Sequence, residues 1–257
     1  MNPLTVAGHA YQAQADIPTN VQAISAALHQ AAAAGARVLV TCECALVGYP
    51  GAGREDLSGL SACAIAEAED LLHIRAEQLG IALFLGSVSP WHDGMSNDLF
   101  ACGAIDQIVR YRKCFLTPWD EAHFMRGEQE QIALVDGWKL GLSVCFDLRF
   151  PQFWYRLAKQ GCDLFINSSH MAGTDAGGIK AQVIPSLYQS RATEWVTPLF
   201  LTNTAAADRW LASGAWDARG MPVAQCAEGL FMHCFEPRET LKPWYQQLRQ
   251  RALEAKA

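Results

Sequence analysis

Residues 33–40 read Ala-Ala-Gly-Ala-Arg-Val-Leu-Val, and residues 158–166 read Ala-Lys-Gln-Gly-Cys-Asp-Leu-Phe-Ile. Each is the end of a helical pattern, a glycine that stops it, and an apolar run leading to polar residues. A strand that is apolar at nearly every position is buried on both faces, as strands inside a layered α/β protein are. The unit occurs once in each half of the chain, so the halves are related. Two sheets packed face to face with helices outside would satisfy this. A single doubly wound sheet has the same periodicity, so pattern alone leaves both open.

Working outward, Leu4 to Ala10 is a short apolar strand. Asn20 is placed to cap a helix carrying Val21, Ile24, Ala27, Leu28 and Ala31 at helical spacing, and Arg37 to Thr41 is the strand after it. A second helix fits Ser61 to Leu79. Strands then fit Ile81 to Val88 and Asn97 to Ala104, with Pro90, Asp93 and Gly94 in the turn, and Asp106-Gln107 reverses the chain into Ile108 to Lys113. In the second half, Trp138 to Phe146 reads as strand, Pro151 to Lys159 as helix, Asp163 to Asn167 as strand, Ile179 to Trp195 as helix and Leu199 to Thr204 as strand. A late hairpin is expected around residues 218–222, and residues 243–257 form a polar-amphipathic helical tail. No Pro/Ser/Gly-rich linker divides the 257 residues, which predicts one domain.

With 51% hydrophobic and 18% charged residues, the chain has the makings of a well-buried core. The net charge of −6 and the lack of any basic cluster argue against nucleic acid or an anionic membrane as partner. The N-terminus has no basic leader pattern, and no apolar stretch is long enough to span a bilayer. Nine cysteines are scattered, odd in number and partly inside apolar strands, which fits free thiols in a reducing cytoplasm better than a disulfide framework.

Three strands end in a reactive side chain. Val38 to Thr41 leads through Cys42 to Glu43, Ile108 to Arg112 leads to Lys113, and Gly141 to Val144 leads to Cys145. Strand ends are rigid and open onto loops, so catalytic groups gather there in α/β folds. Taken singly, each has an ordinary reading: a core cysteine, or a solvated glutamate or lysine. Jointly they form a reaction set. A thiol needs a base to become a nucleophile, a carboxylate can take its proton, and an ammonium can stabilise the anion that follows.

These segments resemble the nitrilase superfamily, the carbon–nitrogen hydrolases. Cys42-Glu43-Cys44-Ala45-Leu46-Val47-Gly48-Tyr49 looks like the family's glutamate, apolar stretch and Gly-Tyr. Tyr111-Arg112-Lys113-Cys114-Phe115-Leu116 is similar to its Tyr-Arg-Lys-x-x-Leu. Gly141-Leu142-Ser143-Val144-Cys145-Phe146-Asp147-Leu148-Arg149-Phe150-Pro151 is similar to its nucleophile segment, and Arg191-Ala192-Thr193-Glu194 to its Arg-Ala-x-Glu helix. The resemblance implies a four-layer αββα sandwich. It also implies Glu43 as general base, Lys113 as charge stabiliser and Cys145 as nucleophile, with the Phe146 N–H helping to hold an oxyanion. A homodimer or larger assembly packed through outer helices is implied too, and no metal or organic cofactor. A second acid that positions the lysine falls on Asp120 by register or on neighbouring Glu121 by residue type. Two positions depart from the family pattern: Cys42 stands where proline usually precedes the glutamate, and Gln152 where an acid usually follows Arg-Phe-Pro.

The short chain and the Cys-Phe-Asp-Leu-Arg-Phe-Pro segment look most like the ω-amidase and deaminated-glutathione-amidase branch. The expected substrate is a small-molecule amide, with N-carbamoyl amino acids as the rival class and a catalytically silent binding protein as the other alternative. Asn167, Ser168 and His170 follow a strand on the Cys145 side and are expected to line the pocket, and Tyr49 and Trp119 either wall it or simply pack. Asp147 and Arg149 are expected to form a salt bridge that shapes the loop, the alternative being that Arg149 binds a substrate carboxylate. His170 or His123 could instead pair with Cys145, but Glu43 and Lys113 would then be unexplained. Cys42-x-Cys44 lacks the second half of a zinc site. The Gly-rich stretch 173–178 reads as a connector more readily than as a mobile rim.

Overall fold

The computed structural model describes residues 1–52, 54–174 and 177–254. Strand β1 (Leu4–Ala10) leads into helix α1 (Ile17–Ala33), β2 (Val38–Thr41), α2 (Ala62–Gln78), β3 (Ala82–Trp91), β4 (Gly94–Gly103) and β5 (Val109–Arg112). The second half holds β6 (Ile132–Val135), β7 (Trp138–Val144), α3 (Pro151–Lys159), β8 (Leu164–Ser169), α4 (Ile179–Trp195) and β9 (Leu199–Asn203). It continues through β10 (Ser213–Trp216), β11 (Pro222–Cys226) and β12 (Gly229–Phe235) to α5 (Pro243–Glu254). The strands make two six-stranded mixed sheets, ordered β12-β1-β2-β3-β4-β5 and β11-β10-β9-β8-β7-β6. In each, three central strands run parallel.

Strand β2 shows how the layers stack. Val38 and Val40 enter a core shared with Leu140, Leu142 and Val144 of β7, while Leu39 between them packs with Ile24 and Leu28 of α1 and Leu72 of α2. Period-two alternation thus sends neighbouring residues to different cores, one between the sheets and one under the helices. On the other side, Trp154 and Leu157 of α3 and Tyr188 of α4 are buried against the second sheet. The result is a four-layer αββα sandwich.

Several local expectations shift. Helix α1 is capped by Asp16, whose Oδ2 accepts from the Thr19 N–H at 2.9 Å. Asn20 is instead buried inside the helix, where its Nδ2 donates to the carbonyls of Gln14 (2.7 Å) and Leu46 (3.0 Å). It therefore ties α1 to the loop that follows Glu43. Strand β7 stops at Val144 rather than Phe146, because Cys145 turns left-handed (φ 44°) into a 3₁₀ turn over Cys145–Arg149. The β3–β4 hairpin is longer than expected, its turn reduced to His92 and Asp93. The late hairpin forms as expected from β10 and β11, whereas β6 and β12 had no strand expectation of their own. Of the Gly-rich stretch, Asp175 and Ala176 lie outside the described residues, as do residues 255–257 of the tail. Among the described residues no helix is long and apolar enough to cross a membrane.

Candidate active site

Glu43, Lys113, Cys145 and His170 each follow the end of a strand, β2, β5, β7 and β8 in turn, where the two sheets meet. Bonds across the sheet interface fix these ends: Ser168 Oγ donates to the Thr41 carbonyl (2.9 Å), and the Glu43 N–H donates to the Ser169 carbonyl (3.3 Å). The turn around Glu43 presses on β3 so closely that a Cβ on Gly86 would lie 2.0 Å from the Cys42 carbonyl oxygen. Only glycine permits that approach.

Lys113 is 1% exposed, and its Nζ lies between two carboxylates, 2.7 Å from Glu43 Oε1 and 2.9 Å from Asp120 Oδ2. Asp120 opens a short 3₁₀ turn, and its carboxylate accepts four hydrogen bonds. Its Oδ2 also accepts from Thr117 N–H and Oγ1, both at 2.9 Å, and its Oδ1 accepts from the Tyr49 hydroxyl at 2.6 Å. Glu43 is held differently. Its Oε1 accepts from Lys113 and from Asn97 Nδ2 (2.7 Å), but among the described residues its Oε2 accepts only from the His170 N–H (2.7 Å). A carboxylate offers about four acceptor sites; among the described residues Asp120 accepts four hydrogen bonds and Glu43 three. Glu121 is exposed and takes no part in this cluster. Of the two neighbouring acids, Asp120 is the one in contact with Lys113.

Electrostatics follow the geometry. For Lys113, burial disfavours the ammonium, but Glu43, Cys145 and Asp120 together outweigh it and raise its pKa well above the ordinary value. For Asp120, burial acts upward and loses to Lys113, so the carboxyl is held below its usual range. Burial and then the Glu43 charge push the Cys145 thiol well up, against the pull of Lys113 and the His170 backbone. The Cys145 thiol is therefore held protonated, and acting as a nucleophile would require a base. Alkylation of Cys145 by iodoacetamide, followed on its own peptide, is accordingly expected to keep accelerating to about pH 9 and beyond. A plateau near neutrality would mean a preformed thiolate.

Cys145 opens onto a cavity of about 810 Å³. Tyr49, Trp119, Phe146 and His170 line it, and the Tyr49 and His170 rings stack at 4.6 Å. Burial lowers the His170 pKa, which favours the neutral ring. Among the described residues neither the His170 nor the His123 ring hydrogen-bonds Cys145, so no Cys–His side-chain pair is formed. Asn167 and Ser168 do not line the cavity. Strand β8 runs on through Ser169, and both side chains are spent inside the framework: Asn167 bonds Ser143, Ser169 and Tyr188, and Ser168 bonds β2. The expected Asp147–Arg149 salt bridge is also absent among the described residues. Asp147 turns inward to Tyr111, Val144 and Phe115, while Arg149 is exposed and faces the cavity. Lys180 and Asp208 are two further charged groups on the cavity wall. The sequence reading missed Thr117 and Asp208, and took Asn97 as part of a substrate-selecting loop rather than as a partner of Glu43. For Asn97 a signal existed in the polar run Ser96-Asn97-Asp98 entering an otherwise buried strand. Among the described residues no group of side chains is arranged to hold a metal ion.

The comparisons agree with this architecture. A "hydrolase in pqqF 5′ region" of Pseudomonas protegens is 31% identical over 159 residues, 59% of this chain and 53% of that protein. The glutamine-dependent NAD(+) synthetase of a Synechocystis species is 30% identical over 179 residues, 60% of this chain and 31% of that protein. The chain thus spans about half or less of these curated relatives. Among solved structures, a mutant of the Nesterenkonia AN1 amidase from the nitrilase superfamily superposes with a TM-score of 0.81 at 22% identity, covering 97% of this chain and 95% of that one. Another mutant of the amidase from Nesterenkonia sp. AN1, with the acetamide moiety of fluoroacetamide added covalently at its active-site cysteine, gives 0.81 at 23%, again covering 97% and 95%. The family model described as carbon–nitrogen hydrolase matches residues 4–229. The chain belongs to the carbon–nitrogen hydrolase family.

Proposed function

We propose that this protein is a cysteine-dependent amidase that releases ammonia from a small non-peptide amide through a thioester. The observation that carries this reading is the asymmetry of the two carboxylates on Lys113. Asp120, with four donors on its carboxylate, places and charges the lysine, whereas Glu43 accepts three and is the carboxylate that acts most strongly on the protonated thiol. Cys145 Sγ attacks the amide carbon as its proton passes to Glu43. The oxyanion is held by the remaining N–H of Lys113 and by the Phe146 N–H, near the start of a 3₁₀ turn where amides lack internal partners. Glu43 then gives its proton to the departing nitrogen, and the C–N bond breaks. Water attacks the thioester as Glu43 takes its proton, and collapse returns the thiol and frees the acid. The covalent adduct named for the Nesterenkonia amidase supports a cysteine nucleophile on this fold.

For the substrate class we favour ω-amides of dicarboxylic acids, as in the ω-amidase branch. Arg149 is exposed to the cavity and makes no salt bridge among the described residues, which leaves a guanidinium available for a distal carboxylate. Ammonia release across ω-amides, N-carbamoyl amino acids, aliphatic amides and nitriles tests this. Turnover is expected to be greatest for the ω-amides. Arg149→Ala is expected to raise their KM roughly 10- to 100-fold, the loss of a charge-assisted bond, with simple aliphatic amides unchanged. Preference for the carbamoyl series would move the protein to the rival class. A reducing cytoplasm, which fits nine unbridged cysteines, and a homodimer or larger assembly complete the proposal. The apolar Ile179 and Val183 exposed along α4 support the assembly, and sizing in solution tests it.

A further inference from the structure

The Asp147 carboxylate is buried, has no cation within salt-bridge distance among the described residues, and has no part in the reaction above. Its partners are unusual in where they come from. Oδ2 accepts from the Tyr111 hydroxyl (2.6 Å) and the Val144 N–H (2.8 Å), and Oδ1 accepts from the Phe115 N–H (3.0 Å). Tyr111 and Phe115 stand two residues before and two after Lys113, and Val144 immediately precedes Cys145. One carboxylate therefore grips both flanks of the lysine and the entry to the nucleophile turn.

The two segments belong to different sheets, β5 at the edge of one and β7 inside the other. Among the described residues, the bonds from Tyr111 and Phe115 to Asp147 are the only hydrogen bonds between residues 109–117 and 141–150. The remaining contact is apolar, including the Phe115–Phe150 stack at 3.8 Å between ring centroids. The Tyr111 hydroxyl is itself fixed by accepting from the Cys114 N–H at 3.0 Å. Packing alone would be better served by an apolar side chain, because a buried carboxylate without a cation is costly. The turn it holds also contains Cys145 at φ 44°, a strained conformation that persists only where the surroundings over-determine it.

We infer that Asp147 is a positioning residue, whose carboxylate locks the Lys113 segment to the Cys145 turn and so sets the spacing of ammonium and thiol. All three partners are donors, so an amide at this position must turn an N–H against one of them. Asp147→Asn keeps the volume and breaks the clamp.

The kinetic arm of the test rests on the amidase reading; a second arm does not. In Asp147→Asn, kcat per labelled Cys145 site is expected to fall roughly 10- to 100-fold with KM nearly unchanged, the usual result of misplacing a reacting group by about 1 Å. Alkylation of Cys145 by iodoacetamide at fixed pH, mapped to its peptide, is expected to slow as well, because Lys113 favours the thiolate. Tyr111→Phe, which keeps the ring, is expected to give a smaller loss in the same direction. Both changes act through one carboxylate, so the double variant should be no worse than Asp147→Asn alone. If both variants lower only the thermal midpoint, with kcat per site and Cys145 alkylation as in the wild type, Asp147 is structural and the inference is overturned. Should Asp147→Asn fail to fold, Tyr111→Phe decides by the same readouts. If the wild type hydrolyses no amide, the amidase reading fails, and the alkylation comparison still decides the clamp.

Discussion

Replacing Cys145 by alanine is expected to lower ammonia release at least about 10⁴-fold while leaving the fold intact. The two halves of that expectation have separate causes. Cys145 is a small side chain on the wall of a cavity, and alanine bears the same left-handed φ of 44° with no new clash, so folding loses little. Chemistry loses the only thiol on the cavity wall among the described residues. The thiols nearest in charge, Cys42 and Cys44, are buried on either side of Glu43, and burial pushes both up, Cys42 to about 12. Neither lines the cavity. Cys145→Ser is expected to be nearly as inactive, since a hydroxyl is harder to ionise than a thiol and forms a less reactive acyl intermediate. Activity that survived in Cys145→Ala, with near-ultraviolet circular dichroism like that of the wild type, would remove the thioester from the mechanism.

What could be read from the sequence was the set of strand ends. A run such as Val38 to Thr41 can only be a doubly buried strand, and the polar residue just past it must emerge where a sheet ends. Period-two reasoning of this kind identified the carriers of Glu43, Lys113 and Cys145 without saying how far apart they lie in space. The face-to-face arrangement came from the resemblance, because a single sheet would show the same strands.

The misreadings share one physical origin, the point at which one backbone period gives way to another. Asn167 and Ser168 were assigned to the pocket on the assumption that β8 ends at Asn167, whereas it continues through Ser169, and the first residue free to face the cavity is His170. Asp147 and Arg149 were paired as opposite charges in the loop just past Cys145. In a turn of three residues, side chains two apart point about 120° away from each other, so one goes to the core and the other to solvent. The second acid stayed open between Asp120 and Glu121 for the same reason. Only the 3₁₀ turn, pinned by Thr117 to the Asp120 carboxylate, decides which of two neighbours faces inward. Strand β12 escaped because it is an edge strand with a half-exposed surface and no clean alternation.

Lys113→Met is expected to be the most disruptive single change to the framework of the site. It removes the cation that Glu43 and Asp120 share and leaves two carboxylates buried with no counter-charge. Breaking a buried pair on one side costs about 3–5 kcal/mol, which for a chain of this size is a fall in thermal midpoint of roughly 10 °C. The pH dependence separates this cause from lost packing. In the wild type, Asp120 has a depressed pKa, so its contribution is complete above the ordinary carboxylate value and lost only as pH falls through the lower folded value. Lys113 has a raised pKa, so its contribution is complete below the ordinary lysine value and lost only as pH rises past the higher folded one. Between about pH 5 and 9 this pair of contributions is therefore flat. In Lys113→Met the two carboxylates repel without relief, one of them is pushed to take a proton, and a raised folded pKa means stability recovers as pH falls. The gap in midpoint between variant and wild type should thus narrow from about pH 8 to pH 5. A gap of constant width would show that methionine merely packs badly and that the ion triad carries no such load. Ammonia release should be reduced at both ends of the range, because folding regained by protonating a carboxylate restores neither the missing N–H for the oxyanion nor a free base at Glu43.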